Sequence, residues 1–381
     1  DTQEDLSRVR FLAEARGGLA GWWEYYELLR TPNRTAFVTP GGSQTNSKRQ
    51  RPPAYAWTAR GVHLIEDDGR PLLDWTMGLG ACILGYGRKD VLSFESEIVS
   101  NVGGHSFSLP TQLEGVAAEA ILKHTPSADM VRFGKNGSDA VAFACRLARA
   151  HTGREDIVTW GYHGWHDPFV RGLLHPVPGA MNDWYVRFIE ATTSPSNLSG
   201  VAAVLCEPSS APEKDLLELR NLLHERGVLL ITDEVITGFR HRLGEMYEGL
   251  GDIVCYGKAL GNGAPLSAVC GRREILELAE GCHLSSTFGG EVGGLASCIG
   301  TISILEKMDY KKKNQLGEGL LRRVPGMTGP PSRPVLEVHD RNLFSRRCLE
   351  NGIVSLGIHN ISFAHSEQDV DRTVETYERI I

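Results

Sequence analysis

Several features that would assign a protein class at once are missing from this sequence. It has no C-x-x-C pair, and its eight cysteines (Cys82, Cys145, Cys206, Cys255, Cys270, Cys282, Cys298 and Cys348) are scattered along 381 residues. Such spacing gives no zinc ribbon and no disulfide framework. Most lie in apolar surroundings such as Val204-Leu205-Cys206, where a free thiol behaves as a small hydrophobe, which fits a reducing, cytoplasmic setting. No apolar run is long enough to cross a bilayer, and no stretch reads as a signal peptide. The chain opens on Asp1, and residues before it are expected. No long run of one charge occurs: 40 basic and 47 acidic residues leave a net charge of −7. A nucleic-acid or membrane surface is therefore not expected. The short cluster Lys48-Arg49-Gln50-Arg51 reads as a solvated loop or a local anion contact. With 41% hydrophobic and 23% charged residues, the composition is that of an ordinary globular chain, large enough for more than one domain.

The chemistry concentrates in two stretches. Residues 228–231 form an apolar run of strand length, followed by Asp233 and Glu234 just past its end. Residues 253–256 form a second such run and deliver Lys258, flanked by Gly257 and Gly261. Ligands of open parallel sheets bind at the carboxyl ends of strands, and a lysine in a dry pocket becomes a nucleophile toward carbonyls. Singly, Asp233-Glu234 reads equally well as a solvated strand end and Lys258 as a surface lysine. Together, a carboxylate and an amine at adjacent strand ends suit pyridoxal phosphate (PLP) chemistry.

Other segments agree with that chemistry. A strand at 130–133, the turn Gly134-Lys135-Asn136-Gly137-Ser138-Asp139 and a helix over 141–152 make an anion-binding arrangement, or simply a capped helix. A strand at 157–160 leads to Gly161-Tyr162-His163-Gly164-Trp165-His166-Asp167, where an aromatic ring could stack on a flat cofactor. The histidines there have no cysteine partner, and no metal site is expected. Helices are also expected over 3–30, 112–124, 216–225, 293–308 and 370–380, and strands at 201–205 and 334–338. A hairpin is expected from 62–65 and 72–75 about Asp67-Asp68-Gly69.

The Asp233 and Lys258 stretches resemble the class III, fold-type-I PLP-dependent aminotransferases, and within them the group similar to glutamate-1-semialdehyde aminomutase. The resemblance spans roughly residues 38–381. It implies an α/β fold with a mostly parallel sheet in a large domain (80–300) and a smaller α+β domain. The small domain would draw on an N-terminal part (1–79) and a C-terminal part (301–381). It implies that Lys258 holds PLP as a Schiff base, that Asp233 keeps the pyridine nitrogen protonated, and that Tyr162 covers one ring face. Asn136, Gly137 and Ser138 would cradle the phosphate, with Asp139 where glutamate is usual. Glu207, His163 and Val235 would lie beside the cofactor. Thr287 would reach across a homodimer interface to the phosphate in the partner, so that the two active sites are shared.

The expected partners are a small-molecule amino donor and a carbonyl acceptor, a sugar or specialised metabolite being one candidate. An aminomutase or epimerase is the alternative, and a non-catalytic PLP-binding protein is a third. Two departures bear on specificity. Pro212 stands where relatives acting on ω-amino acids often carry a second glutamate. Lys48 stands where the aminomutase uses an arginine to clamp a carboxylate, and lysine makes no such bidentate pair. Three loops look short for the family: a lid over 168–183, Leu250-Gly251-Asp252, and 311–334.

Overall fold

The computed structural model describes residues 39–40, 43–48, 54–66, 68–170, 177–181, 185–189 and 198–381. The helix expected over 3–30, Arg49 and Arg51, and parts of the expected lid lie outside the described residues.

In chain order, the first elements are strands β1 (Ala56–Arg60), β2 (His63–Glu66) and β3 (Pro71–Asp74), then helices α1 (Lys89–Val102) and α2 (Gln112–Leu122). Next come β4 (Met130–Gly134), α3 (Gly137–Thr152), β5 (Asp156–Thr159), β6 (Val186–Phe188), β7 (Val201–Cys206) and α4 (Glu213–His224). Then follow β8 (Leu229–Glu234), β9 (Ile253–Tyr256), β10 (Ser267–Gly271), α5 (Val292–Leu305) and α6 (Tyr310–Arg323). The chain closes with β11 (Met327–Thr328), β12 (Val335–Leu336), α7 (Arg341–Glu350), β13 (Ile353–Val354) and α8 (Glu367–Ile380). No helix among the described residues is long and apolar enough to cross a membrane.

The chain divides into two compact units. The first, residues 1–58 and 65–71, contains the short 3-10 turn Asn46–Lys48 with Lys48 exposed. The second, residues 59–64 and 72–381, holds everything described below.

A seven-stranded sheet in the order β4-β10-β9-β8-β7-β5-β6 forms its centre. All pairs are parallel except those of β10, which runs antiparallel to both β4 and β9. Every residue of β7 is buried, as a strand covered on both faces requires, which is why it reads as an unbroken apolar run. The direction of β10 follows from chain length. Parallel neighbours need a crossover of a dozen or more residues, whereas only residues 257–266 join β9 to β10. That short connection carries Lys258.

Apolar side chains of α3 pack on one face of the sheet with Ile157, Ala203 and Ile231. Leu295, Ile302 and Ile121 pack on the other with Val254 and Tyr256. A separate core joins Val62, Leu73 and Trp75 to Leu320, Phe344, Val374 and Tyr377 from the end of the chain. The parallel pairing of β13 with β3 (Ile353 opposite Leu73) ties those two segments.

Several expected boundaries move, and three of the shifts are informative. Asp233 and Glu234 do not follow the strand; they complete it, because their backbones pair with Cys255 and Tyr256 on β9. Helix α3 begins at Gly137, since Asn136 and Asp139 form a capping box there. The strand expected over 334–338 shrinks to Val335–Leu336, paired with Met327–Thr328.

Candidate active site

Neighbouring strand residues point to opposite faces, and Asp233 and Glu234 meet different surroundings. Asp233 is buried, and its Oδ2 lies 2.7 Å from Nδ1 of His163. The Nε2 of His163 lies 2.8 Å from the carbonyl oxygen of Trp160. Both ring nitrogens thus face oxygens that accept hydrogen bonds, so both carry hydrogen and the ring is an imidazolium. Burial pulls the His163 pKa down, but the hydrogen bond and charge of Asp233, the Trp160 carbonyl and the charge of Glu207 together outweigh it, leaving the pKa raised. The other oxygen of Asp233 accepts from the Val235 N–H at 3.1 Å. On the opposite face, Glu234 accepts from the Thr237 hydroxyl and, at 2.8 Å, from the Met246 N–H. Burial pushes its carboxyl up to about 8, so near neutral pH it serves as an uncharged structural group.

Lys258 follows β9 after Gly257 and opens a 3-10 turn to Gly261. Its φ of +41° lies in the left-handed region, costly for a residue with a side chain and typical of functional sites. Burial pulls its ammonium down to about 8, against the charges of Asp233 and Glu207, which act to raise it. The guanidiniums of Arg333 and Arg240 push in the same direction as burial. Glu207 follows β7 directly, and since Cys206 pairs with Thr232, it stands level with Asp233 on the next strand. It accepts from the Ser209 hydroxyl at 2.5 Å and lies 3.6 Å from Nη1 of Arg333. Arg240 is wholly buried and donates to the carbonyls of Ile236 (3.0 Å), Ile361 (3.3 Å) and Gly80. Burial lowers its pKa to about 10.

The turn from β4 into α3 comes to the same place. A Cβ on Gly137 would lie 2.6 Å from Val235 Cγ1, and one on Gly257 would lie 3.3 Å from that atom. Val235 therefore sits between the start of α3 and the Lys258 segment. Asn136 caps α3 and donates its N–H to Asp139 at 2.8 Å. Ser138 is buried, and its hydroxyl accepts from the Trp165 N–H at 3.2 Å. Gly164, at φ +111°, is needed there because a Cβ would overlap Ser138. Tyr162, beside them, is 52% exposed. His163 and His166 diverge, the latter approaching Asp139 at 3.7 Å. No group of three or more His, Cys, Asp or Glu among the described residues could hold a metal.

Thr287 is exposed and belongs to a different place. With Phe107, Leu109 and Glu291 it lines a cavity of about 650 Å³ that none of Asp233, His163 or Lys258 reaches. Glu291 caps α5 and accepts four hydrogen bonds: His105 Nδ1 at 2.6 Å, Lys135 Nζ at 2.8 Å, Gly293 N–H at 2.8 Å and Gly294 N–H at 2.9 Å. Burial would raise its carboxyl, but these donors hold it down at about 2.

The sequence alone gives no role to Arg240, Arg333 or Glu291. The signals available are faint: an arginine within Pro330-Pro331-Ser332-Arg333-Pro334, and a glutamate directly before a glycine-rich helix start.

The profile of the class III aminotransferases matches residues 45–169 and 179–324. The chain belongs to this family. It is 34% identical to the glutamate-1-semialdehyde 2,1-aminomutase of Methanothrix thermoacetophila, over 76% of this chain and 75% of that protein. It is 31% identical to the Archaeoglobus fulgidus protein of the same name, over 89% and 95%. Among solved structures, this class III chain resembles the FumI protein of Sphingopyxis sp. MTA144 in its PLP internal aldimine form. The TM-score is 0.81 at 26% identity, covering 93% of this chain and 95% of that one. An omega-transaminase of Sphaerobacter thermophilus shares the fold, with a TM-score of 0.78 at 23% identity, over 97% and 98% of the two chains. The fold is that of the fold-type-I PLP-dependent transferases.

Proposed function

We propose that the protein is a PLP-dependent aminotransferase that moves an amino group from an amino donor to a carbonyl acceptor. The observation that carries the reading is Lys258, an amine pulled down to about 8, beside the Asp233–His163 pair at the ends of adjacent strands. As a class III aminotransferase the chain takes PLP, and its residues fit that group. Ser138 and the first N–H groups of α3 suit a phosphate, and the missing side chain at Gly137 lets Val235 pack against that turn. The Asp233 carboxylate suits a protonated pyridine nitrogen, and the exposed Tyr162 ring suits a flat face.

Bound PLP supplies an electron sink that stabilises negative charge on the substrate carbon. The chain's residues do the rest. Lys258 Nζ would hold the cofactor covalently and, as a free amine, would remove and return a proton as general base and acid. Asp233, hydrogen-bonded to His163, would face the ring nitrogen and hold a proton there. His163 is held in turn by the Trp160 carbonyl, so the Asp233 carboxylate keeps one orientation. Asn136 and Val235 shape the phosphate end, and Glu207 and Tyr162 border the ring. The assembly we propose is a homodimer in the cytoplasm, with Thr287 offered to the partner's phosphate; its exposure beside Phe107 and Leu109 supports this.

A second reading, an intramolecular 2,1-aminomutase, is favoured by the names of the relatives above. The exposed Lys48 in place of a clamping arginine favours the first. The test is single turnover of PLP-loaded enzyme with a panel of amino acids. Release of a keto acid with one equivalent of pyridoxamine phosphate supports transamination. Conversion of glutamate 1-semialdehyde with no free donor or acceptor would replace that reading by the aminomutase.

A further inference from the structure

The turn that carries the Lys258 amine has a non-glycine residue at positive φ at each end: Lys258 at +41° and Asn262 at +45°. Asparagine visits the left-handed region more readily than lysine does. The Asn262 N–H closes the turn on the Ala259 carbonyl at 3.2 Å, as an ordinary cap would. Its side chain goes further than a cap requires. The Leu84 N–H donates to Asn262 Oδ1 at 2.8 Å, and Asn262 Nδ2 donates to the Gly85 carbonyl at 3.3 Å. One side-chain amide thus pairs with two consecutive residues that lie 178 and 177 positions away in the chain. The segment it holds is itself fixed. Gly61 and Tyr86 exchange N–H···O bonds at 3.0 and 2.7 Å, and the Phe363 N–H donates to the Ile83 carbonyl at 2.9 Å. A Cβ on Gly85 would lie 2.7 Å from that of Ala364, and one on Gly263, just past the turn, would lie 3.2 Å from Cys82 Sγ. The turn is therefore anchored at its start by β9 and at its end by residues 82–86.

We propose that Asn262 is a positioning residue, whose side-chain amide ties the Lys258 turn to residues 82–86 and so keeps the Lys258 amine in its buried, left-handed setting. This rests on Lys258 as the amine that holds the cofactor, and deepens that reading by naming what fixes it. Without the tie, the far end of the turn has only its own backbone bonds, and Lys258 relaxes toward the negative φ that a residue with a side chain prefers. An amine that gains water in this way holds its proton more tightly. The competing view makes Asn262 nothing more than a cap that tolerates positive φ. Glycine separates the two, because it adopts positive φ without cost and has no amide.

The test measures the cofactor-free protein. Trace reductive methylation with formaldehyde and cyanoborohydride is run from about pH 6 to about pH 11, and the Lys258 peptide is quantified by mass spectrometry. The wild-type midpoint is expected at about 8. Asn262→Gly and Asn262→Ala should both move it to about 9 or above, toward the ordinary lysine value, and slow PLP capture at pH 7 about tenfold. Ser366→Ala, which removes the cap of α8 far from this turn in sequence, should lower the melting temperature and leave the Lys258 midpoint where it is in the wild type. An unchanged midpoint in Asn262→Gly would overturn the proposal, whether or not Asn262→Ala shifts, and would leave the residue as a cap. An equal shift in Ser366→Ala would overturn it too, by assigning the effect to general loosening. Should Asn262→Ala fail to fold, Asn262→Gly carries the test. A wild type that captures no PLP defeats the cofactor reading on its own, while the methylation midpoints still judge Asn262.

Discussion

Asp233 and Glu291 each anchor a cluster of hydrogen bonds, yet the surroundings of the two differ in what they leave open. Around Asp233, an imidazolium, an amine and a second carboxylate lie close enough to act on one another, and the backbone of the amine's residue stands at positive φ. Opposed charges there remain free to exchange partners and protons. Around Glu291, four donors converge on one carboxylate. What stays open beside it is exposed and partly apolar: Thr287, Phe288 at 56% exposure and Leu109 at 78%. The first region suits the chemistry we propose, with its groups drawn from one chain. The second is a rigid mount that holds a surface outward, and its link through Lys135 ties that mount to the loop starting α3.

The strongest way to break this contrast is at Lys258. Replacing it by alanine should lower kcat by at least about 10³-fold with near-UV circular dichroism unchanged. Retained turnover would remove the first region's claim to chemistry. Asp233→Asn should cost about 10²–10³-fold in kcat, whereas Glu234→Gln, on the other face, should stay within about threefold. Steady-state kinetics on the two variants side by side sharpen the comparison within a single strand. Lys258 also predicts a pH dependence. Capture of PLP by the cofactor-free protein, followed by visible absorbance, should speed up as pH rises through about 8, where the amine loses its proton.

The second region should respond more gently. Thr287→Val should weaken PLP retention about tenfold with little change in kcat at saturating cofactor, measured by dialysis and spectroscopy. For Glu291 the effect is on stability. Its carboxyl is held at about 2, below the ordinary 4.5, so its contribution is present above about pH 4.5 and fades as pH falls toward 2. Thermal melts should show wild type above Glu291→Gln at pH 6, with the gap narrowing toward pH 3.

Much of the first region is legible in the amino-acid sequence. Asp233 and Lys258 end apolar runs, and strand ends of a parallel sheet are where ligands sit, so local pattern is enough to single them out. The partnership of His163 with Asp233 is not legible, because 70 residues separate them and only the sheet order brings β5 and β8 near each other. Arg333 and Arg240 stay hidden for the same reason. Their neighbours come from distant segments, and an arginine among prolines looks like any surface turn. Glu291 reads as an ordinary helix cap; only its contacts with His105 and Lys135 distinguish it. The antiparallel β10 does not stand out in an apolar pattern, although the short connection through 257–266 argues for it. Site residues that act locally are visible in sequence, and those that act through a partner across the fold are not.

The central claim is that Lys258 is the residue that holds the cofactor. The most direct test is to load the purified protein with PLP, reduce it with borohydride and map the labelled peptide by mass spectrometry. The account predicts one pyridoxyl group per chain, on the peptide containing Lys258. A label on another lysine, or a protein that takes up no pyridoxyl group, would contradict it.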